Sequence, residues 1–309
     1  MPDLRAGDRQ WSVAAGSNLL DALNEAGLSV PYSCRAGSCH ACLVRCLSGS
    51  PLDARPDALD VSQRERGWCL ACQCQVVSDL HVDVFDSTRD GLPAHVLDCL
   101  WLSPSVLRLR LEPERALRYR AGQHLVLWIT RGIARPYSLA SLPGEDDWLE
   151  FHIDCARPGA FVDLARGLTP GDEIRLGELR GGALHYDPDW QERPLWLLAA
   201  GTGLGPLAGI LREALRQHHQ GPIRLIHMAH QAYFSETLNA LAATHSQLQV
   251  ESVVPEDFQS ALSALRTPSR QTIALVCGSP QSVEGFSRRL FIAGLPRSQV
   301  WADVFLEKI

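Results

Sequence analysis

A small α+β domain, an antiparallel β-barrel and a parallel-sheet α/β domain, in that order, form the multidomain fold that this chain of 309 residues predicts. Three observations carry the prediction. A cysteine-rich loop, Cys34-Arg35-Ala36-Gly37-Ser38-Cys39-His40-Ala41-Cys42, lies among short strand-like runs in the first 88 residues. From His95 to about Leu184, strand-length segments recur between turn signals at Pro113, Gly122, Gly144 and Gly171, as in a closed antiparallel sheet. After Asp187-Pro188-Asp189, continuous apolar runs alternate with helical stretches, the pattern of parallel strands buried on both faces. The expected domains are 1–88, 94–190 and 191–309, joined first by the polar Asp86–Pro93 segment.

Composition sets outer bounds. Hydrophobic residues at 46% and charged residues at 21% describe an ordinary globular chain. A net charge of −6 without any basic run argues against a nucleic-acid partner. Lysine occurs once, at Lys308, a bias of composition rather than a functional feature. The polar N-terminus has no apolar signal region, and no window reaches 18 uninterrupted apolar residues, so neither export nor a membrane span is expected. The ten cysteines cluster at ligand spacing and point to a reducing cytoplasm rather than a disulfide framework.

In the first domain, two short strands precede a helix expected from Ser17, its N-cap, to Ala26. Leu19, Leu20, Ala22, Leu23 and Ala26 form the apolar stripe, and Gly27 ends it. Further strands are expected around Cys42–Leu47, Cys72–Val77 and His81–Phe85. Cys34, Cys39 and Cys42 stand at Cys-x4-Cys-x2-Cys spacing, and more cysteines follow in Gly67-Trp68-Cys69-Leu70-Ala71-Cys72-Gln73. Such spacing is the plant-type [2Fe–2S] pattern, in which four thiolates hold two iron ions. The small residues Gly37 and Ser38 let backbone N–H groups turn toward the negatively charged sulfides. A four-thiolate zinc site could instead pair Cys39 and Cys42 with Cys69 and Cys72, but it leaves Cys34 and its loop without a role. A Rieske site needs two suitably spaced histidines; His40 directly follows Cys39 and reads as an exposed loop residue.

Over roughly its first 85 residues the chain resembles the plant-type ferredoxins, α+β proteins of β-grasp fold. Ferredoxins of this kind close the site with Gly-Trp-x-Leu-x-Cys, 29 residues after the third ligand, and 29 residues separate Cys42 from Cys72. The resemblance therefore implies Cys34, Cys39, Cys42 and Cys72 as ligands, with Cys69 and Cys74 as buried fillers.

In the barrel region, strands are expected at Val106–Leu111, His124–Ile129, Leu149–Ile153 and Glu173–Leu176. The run Arg135-Pro136-Tyr137-Ser138 resembles the Arg-x-Tyr-Ser flavin motif of the ferredoxin–NADP reductase superfamily. That resemblance implies FAD. Arg135 would pair with pyrophosphate, Tyr137 would pack on the flavin, and Ser138 would hydrogen-bond near flavin N5 as a catalytic residue. His152, Ile153 and Asp154, ending a strand, join the expected cofactor residues. So do Gly159, Ala160, Phe161 and Val162, which match the superfamily's Gly-x-x-Ser/Thr at a helix start. Val162 departs from that motif, since it has no hydroxyl and leaves only backbone donors.

In the third region, Leu195–Ala200 reads as a buried strand, and Gly201-Thr202-Gly203-Leu204-Gly205-Pro206 follows and opens a helix to about His218. Glycines let the backbone approach a dinucleotide, and the helix N-terminus favours its charge; Pro206 suits the first turn. Strands are expected at Ile223–Met228, Leu248–Val253 and Ile273–Val276. The glycine run resembles the superfamily's Gly-Thr-Gly-x-x-Pro, and Cys277-Gly278-Ser279-Pro280 resembles its Cys-Gly-x-Pro, which implies Cys277 against the nicotinamide as a catalytic residue. Asp303-Val304-Phe305 is similar to the acidic-x-aromatic segment that covers the flavin in oxygenase reductases, with Phe305 as the cover. After the second strand, His227–Ala232 holds no arginine for a 2′-phosphate, so NADH is expected, with His230 among its contacts. His218, His219 and His245 read as exposed, and no metal beyond the cluster is expected.

The domain order is similar to that of the NADH-dependent reductase components of bacterial multicomponent oxygenases. The resemblance implies an electron-transfer oxidoreductase, passing electrons from NADH through FAD and a [2Fe–2S] cluster to a terminal oxygenase or hydroxylase, or to an intermediate ferredoxin. Phthalate-type reductases place the ferredoxin last and use FMN, which favours FAD here. Reductases of deoxysugar-forming dehydrases, and a stand-alone NAD(P)H flavin or ferric reductase, are the alternative readings.

Overall fold

The computed structural model describes the chain apart from residues 33, 38, 131, 182–183, 258–259, 262–268 and 306–309; Ser38 of the cysteine loop is therefore outside the described residues. The N-terminal part builds β1 (Asp3–Ala6), β2 (Arg9–Ser12), β3 (Ser17–Asn18), α1 (Leu19–Glu25), β4 (Leu43–Ser48), β5 (Leu52–Asp53), α2 (Val61–Glu65), β6 (Trp68–Leu70), β7 (Cys74–Val76) and β8 (Leu80–Val84). One sheet has the order β2-β1-β8-β4-β6 and a smaller one the order β3-β7-β5. Helix α1 buries Leu19, Leu20, Ala22 and Leu23 in the core they share with Leu4, Val44, Val76 and Val82.

Two local details differ from expectation. The helix cap is Asn18, not Ser17: the Asn18 side chain accepts from Leu20 N at 3.1 Å and Asp21 N at 3.3 Å. Ser17 is held in strand register opposite Val76, which leaves the longer amide one position on to reach the helix amides. Residues Ala71–Gln73 form a 3-10 turn, so the strand expected from Cys72 starts at Cys74.

The polar stretch after β8 is more ordered than a linker. Asp86 accepts from Thr88 N at 2.9 Å and caps the short helix α3 (Ser87–Asp90), and β9 (Leu92–Ser103) begins directly after Gly91. Strand β9 escaped the sequence pattern because register shifts against the next strand break its alternation. With β10 (Val106–Pro113), β11 (His124–Thr130), β12 (Ile133–Ser138), β13 (Leu149–Asp154), helix α4 (Ala160–Ala165) and β14 (Glu173–Arg180), it builds the second region. The strand order is β12-β11-β14-β9-β10-β13, every pairing antiparallel. A bridge between Leu139 and Phe151 joins the two edges and closes the barrel. Leu107, Leu109, Leu125, Leu127, Phe151, Ile153 and Phe161 fill it.

The C-terminal region contains β15 (Leu195–Ala200), α5 (Leu204–Arg216), β16 (Ile223–Met228), α6 (Ser235–Thr244), β17 (Leu248–Val253), β18 (Ile273–Gly278), α7 (Pro280–Ile292) and β19 (Val300–Val304). Its sheet runs β17-β16-β15-β18-β19, all parallel. Along β15, Leu195, Leu197 and Ala199 enter one core with α5 and α6, whereas Trp196, Leu198 and Ala200 enter another with α7. Both faces are covered, which is why β15 reads as a continuous apolar run. His218 is exposed, but His219 is buried and His245 half-buried. His219 Nδ1 lies 3.0 Å from the Tyr186 hydroxyl, and burial lowers its pKa, so the exposed reading of His219 fails. Among the described residues no helix is long and apolar enough to cross a membrane.

The first two regions pack together through an apolar patch of Ala41, Val126, Trp128 and Ala134, with Cys39 and Phe85 against it. The rings of Phe85 and Trp128 stack at 5.4 Å. Trp128→Ala is expected to remove about 3–5 kcal/mol while leaving each regional core intact. Calorimetry should then show an early transition split from the main one; a single unshifted transition would reject this account.

Candidate functional site

Cys34, Cys39 and Cys42 lie between α1 and β4, and Cys72 on the 3-10 turn between β6 and β7. Asn18, the cap of α1, also donates from Nδ2 to Cys72 O at 3.0 Å, so the helix start and the turn are tied together. Backbone N–H groups point at sulfur: Ala36 N and Cys39 N stand 3.3 and 3.4 Å from Cys34 Sγ. Gln73 Nε2 stands 3.3 Å from Cys72 Sγ and donates to Arg35 O at 2.7 Å. The thiols of Cys42 and Cys72 are hydrogen-bonded, which pulls Cys72 down to about 7 against the opposing effect of burial. Arg35, Gly37 and His40 all have positive φ, at 49°, 80° and 55°, the curvature that turns successive amides inward. Converging thiols with amides aimed at them suit an iron–sulfur cluster.

The zinc pairing fits less well, because Cys69 Sγ is 3.4 Å from Cys46 Sγ and also hydrogen-bonded to the Cys74 thiol. Cys69 and Cys74 are buried, in keeping with fillers. His40 is not an exposed residue. It is half-buried, and burial together with the charges of Arg180 and His124 lowers its imidazole to about 4.

Strand β12 carries Arg135, Pro136, Tyr137 and Ser138. The Tyr137 ring meets Phe161 of α4 at 5.0 Å, joining the two flavin motifs, and burial pushes its hydroxyl pKa up. Arg135 Nη1 donates to Ala134 O at 2.8 Å. The side chains of Ile153 and Phe161 fill the barrel core and Val162 packs against it, so these positions offer a cofactor backbone groups only. Gly159 precedes α4, and a Cβ there would meet nothing within 4 Å. A guanidinium, a hydroxyl and unpaired first-turn amides form a donor set suited to a pyrophosphate-bearing flavin.

His152 is placed otherwise than as a simple cofactor contact. Its Nδ1 lies 3.2 Å from the Tyr233 hydroxyl and its Nε2 3.0 Å from Glu150 Oε1. Glu150 also meets Arg110 Nε at 2.7 Å. Burial alone would raise the Glu150 carboxyl, but the hydrogen bonds and charges of His152 and Arg110 outweigh it and hold it at about 2. Asp154 Oδ1 accepts from Ala156 N at 2.8 Å and shapes the turn after β13.

Gly201–Gly203 form a 3-10 turn between β15 and α5, in which Leu204, Gly205 and Pro206 are the first residues. A Cβ on Gly203 would lie 2.3 Å from Cys277 O, and one on Gly278, at φ 147°, 2.6 Å from Ala200 Cβ. Only glycines allow these two loops to touch. The contact brings Gly201, Thr202 and Gly203 together with Cys277 and Gly278. Ser279 caps α7, and Pro280 is its first residue. The Cys277 thiol is buried and pushed well up by burial, with Asp303 beside it in register on β19. Phe305 donates its N–H to Gly278 O at 2.8 Å, and its side chain packs on the C-terminal core. His230 stands apart, exposed, with Nδ1 3.5 Å from Glu256 Oε1.

Several residues of this region carried no sequence signal. His227 Nε2 lies 3.1 Å from Gly201 O, and His124 Nε2 lies 3.4 Å from Cys39 O. Glu150 and His152 could have been found from the Glu150-Phe151-His152 alternation, which puts an acid and a base on one strand face.

A family model described as a 2Fe-2S iron-sulfur cluster binding domain matches residues 5–77, and one described as an oxidoreductase FAD-binding domain matches residues 101–184. The reductase subunit of an aromatic O-demethylase from Amycolatopsis sp. (strain ATCC 39116 / 75iv2) is 34% identical over 239 residues, covering 72% of this chain and 70% of that protein. The ferredoxin–NAD(P)(+) reductase component of the naphthalene 1,2-dioxygenase system of Pseudomonas putida is 28% identical over 312 residues, 94% of each chain. The crystal structure of Amycolatopsis cytochrome P450 reductase GcoB superposes with a TM-score of 0.66 at 26% identity, over 99% of both chains.

Because Glu150 titrates lower in the folded chain than its ordinary 4.5, the stability it contributes is complete above that pH and fades as pH falls toward about 2. Glu150→Gln should cost about 3 kcal/mol at neutral pH, and the gap from the parent should close on acidification through that window. Urea unfolding across pH tests this; a gap independent of pH would refute it.

Proposed function

The chain belongs to the iron–sulfur flavoprotein reductases that serve oxygenase systems, and from that premise we propose that it takes electrons from NADH and delivers them singly to a terminal oxygenase, hydroxylase or intermediate ferredoxin. One observation carries the reading. The cysteine loop packs, through Cys39 and Ala41, on the outer face of the same strands, β11 and β12, of which β12 bears the flavin motif.

Bound FAD and [2Fe–2S] supply the conversion of a hydride's electron pair into single electrons. The chain's own residues bind and orient. Arg135 and the first amides of α4 would hold pyrophosphate, Tyr137 would pack on the flavin, and Ser138 would hydrogen-bond near its N5. Cys34, Cys39, Cys42 and Cys72 are the cluster ligands. The Gly201–Gly205 backbone and the start of α5 receive the NADH pyrophosphate, and buried Cys277 lines the nicotinamide position without ionising. Phe305, whose N–H is tied to Gly278 O, would be the aromatic cover of the flavin. An acid, Glu256, beside His230 favours a free ribose hydroxyl over a 2′-phosphate, which supports NADH. The domain limits proposed are those expected, 1–88, 94–190 and 191–309, with α3 spanning the first limit and β9 starting two residues before the second domain's, and the proposed site of action is the cytoplasm.

An anaerobic visible spectrum during NADH titration should show flavin and iron–sulfur bands bleaching together. Cys72→Ser should lose the iron–sulfur bands yet keep flavin bleaching; a spectrum with neither chromophore after reconstitution would refute the function. Gly203→Ala should raise the KM for NADH by about tenfold or more, with the flavin spectrum retained. An unchanged KM would remove the glycine turn from nucleotide binding.

A further inference from the structure

Outside the flavin motif, β11 presents His124, Val126 and Trp128 on the face away from the barrel core, where Val126 and Trp128 meet Cys39 and Ala41. His124 is directly opposite Ser138 in the β11–β12 register. Its Nε2 lies 3.4 Å from the carbonyl of Cys39, and since a carbonyl only accepts, Nε2 is the protonated nitrogen. Gly181 lies close on the ring's other side: a Cβ there, where φ is 89°, would fall 2.9 Å from His124 Nδ1. The charges of Asp303 on β19, Arg180, Cys34 and His40 act on this imidazole. The loop it touches keeps Arg35 and His40 at positive φ, a conformation that non-glycine residues hold only under outside constraint.

Resting on the function given above, we propose that His124 is a positioning residue that ties the cysteine loop to the flavin strand and so sets the electron step from flavin to cluster. When bound, the two-electron-reduced flavin would supply two electrons, one at a time, and lose one proton to solvent. Each electron would reduce one ferric ion held by Cys34, Cys39, Cys42 and Cys72 and then pass to the acceptor, with no covalent bond made. Ser138, which would meet the flavin, and Cys39, which would hold the cluster, are linked through one strand pairing and the His124–Cys39 contact.

His124→Phe keeps a ring but loses the donor, and His124→Gln restores an N–H. In anaerobic stopped flow of the cofactor-loaded protein with NADH, flavin bleaching should be unchanged in both. Cluster bleaching should slow about tenfold in His124→Phe and largely recover in His124→Gln, as for loss of one hydrogen bond that holds geometry. Hydrogen–deuterium exchange should quicken in residues 34–42 of His124→Phe and nowhere else. Gly181→Ala, which crowds the same ring, should reproduce the slow cluster phase. Unchanged cluster bleaching with unchanged loop exchange would overturn the proposal, as would slowing of both phases with exchange raised throughout. If the parent protein shows no cluster bleaching after flavin bleaching, the function itself fails, not the role of His124.

Discussion

Strands β11 and β12 have both faces occupied, and the rest of the structure depends on that double use. Inward, Leu125 and Leu127 fill the barrel. Outward, Val126, Trp128 and Ala134 seat the first domain. Strand alternation makes the two uses compatible, because neighbouring residues project to opposite sides. A one-residue slip would send Trp128 into the barrel and Leu127 onto the cysteine loop, abolishing both contacts. The register His124–Ser138 is thus held by two independent cores.

A second constraint governs the C-terminal half. The turn after β15 and the end of β18 touch through glycine backbones, and no side chain fits between Gly203 and the Cys277 carbonyl. The parallel sheet places both loops at the carboxyl ends of adjacent strands, the position where open α/β sheets bind ligands. His227, from the next strand, holds the Gly201 carbonyl and keeps the turn from drifting.

Between barrel and C-terminal sheet lies a polar chain, Arg110–Glu150–His152–Tyr233, buried from Glu150 onward and hydrogen-bonded at each link. Arg212 adds a two-pronged bond from α5 to Asp146, at 2.6 and 2.9 Å. Such directional contacts orient one region on another more narrowly than apolar area can.

The sequence by itself determined what local chemistry determines. Cysteine spacing announced the cluster loop, the period of apolar residues separated barrel strands from parallel strands, and the Arg135–Ser138 and Gly201–Pro206 runs marked the flavin and nucleotide elements. Each of these signals sits within a few residues of chain. The cap at Asn18, the helical turn at Ser87–Asp90 and the bulged strand β9 were missed where neighbouring polar residues compete for one role or where alternation is interrupted. The contacts of His124 with Cys39, His152 with Tyr233 and Gly203 with Cys277 join residues 74 to 85 positions apart along different elements. Only the tertiary structure decided them, because register and domain packing, not local pattern, bring such groups within bonding distance.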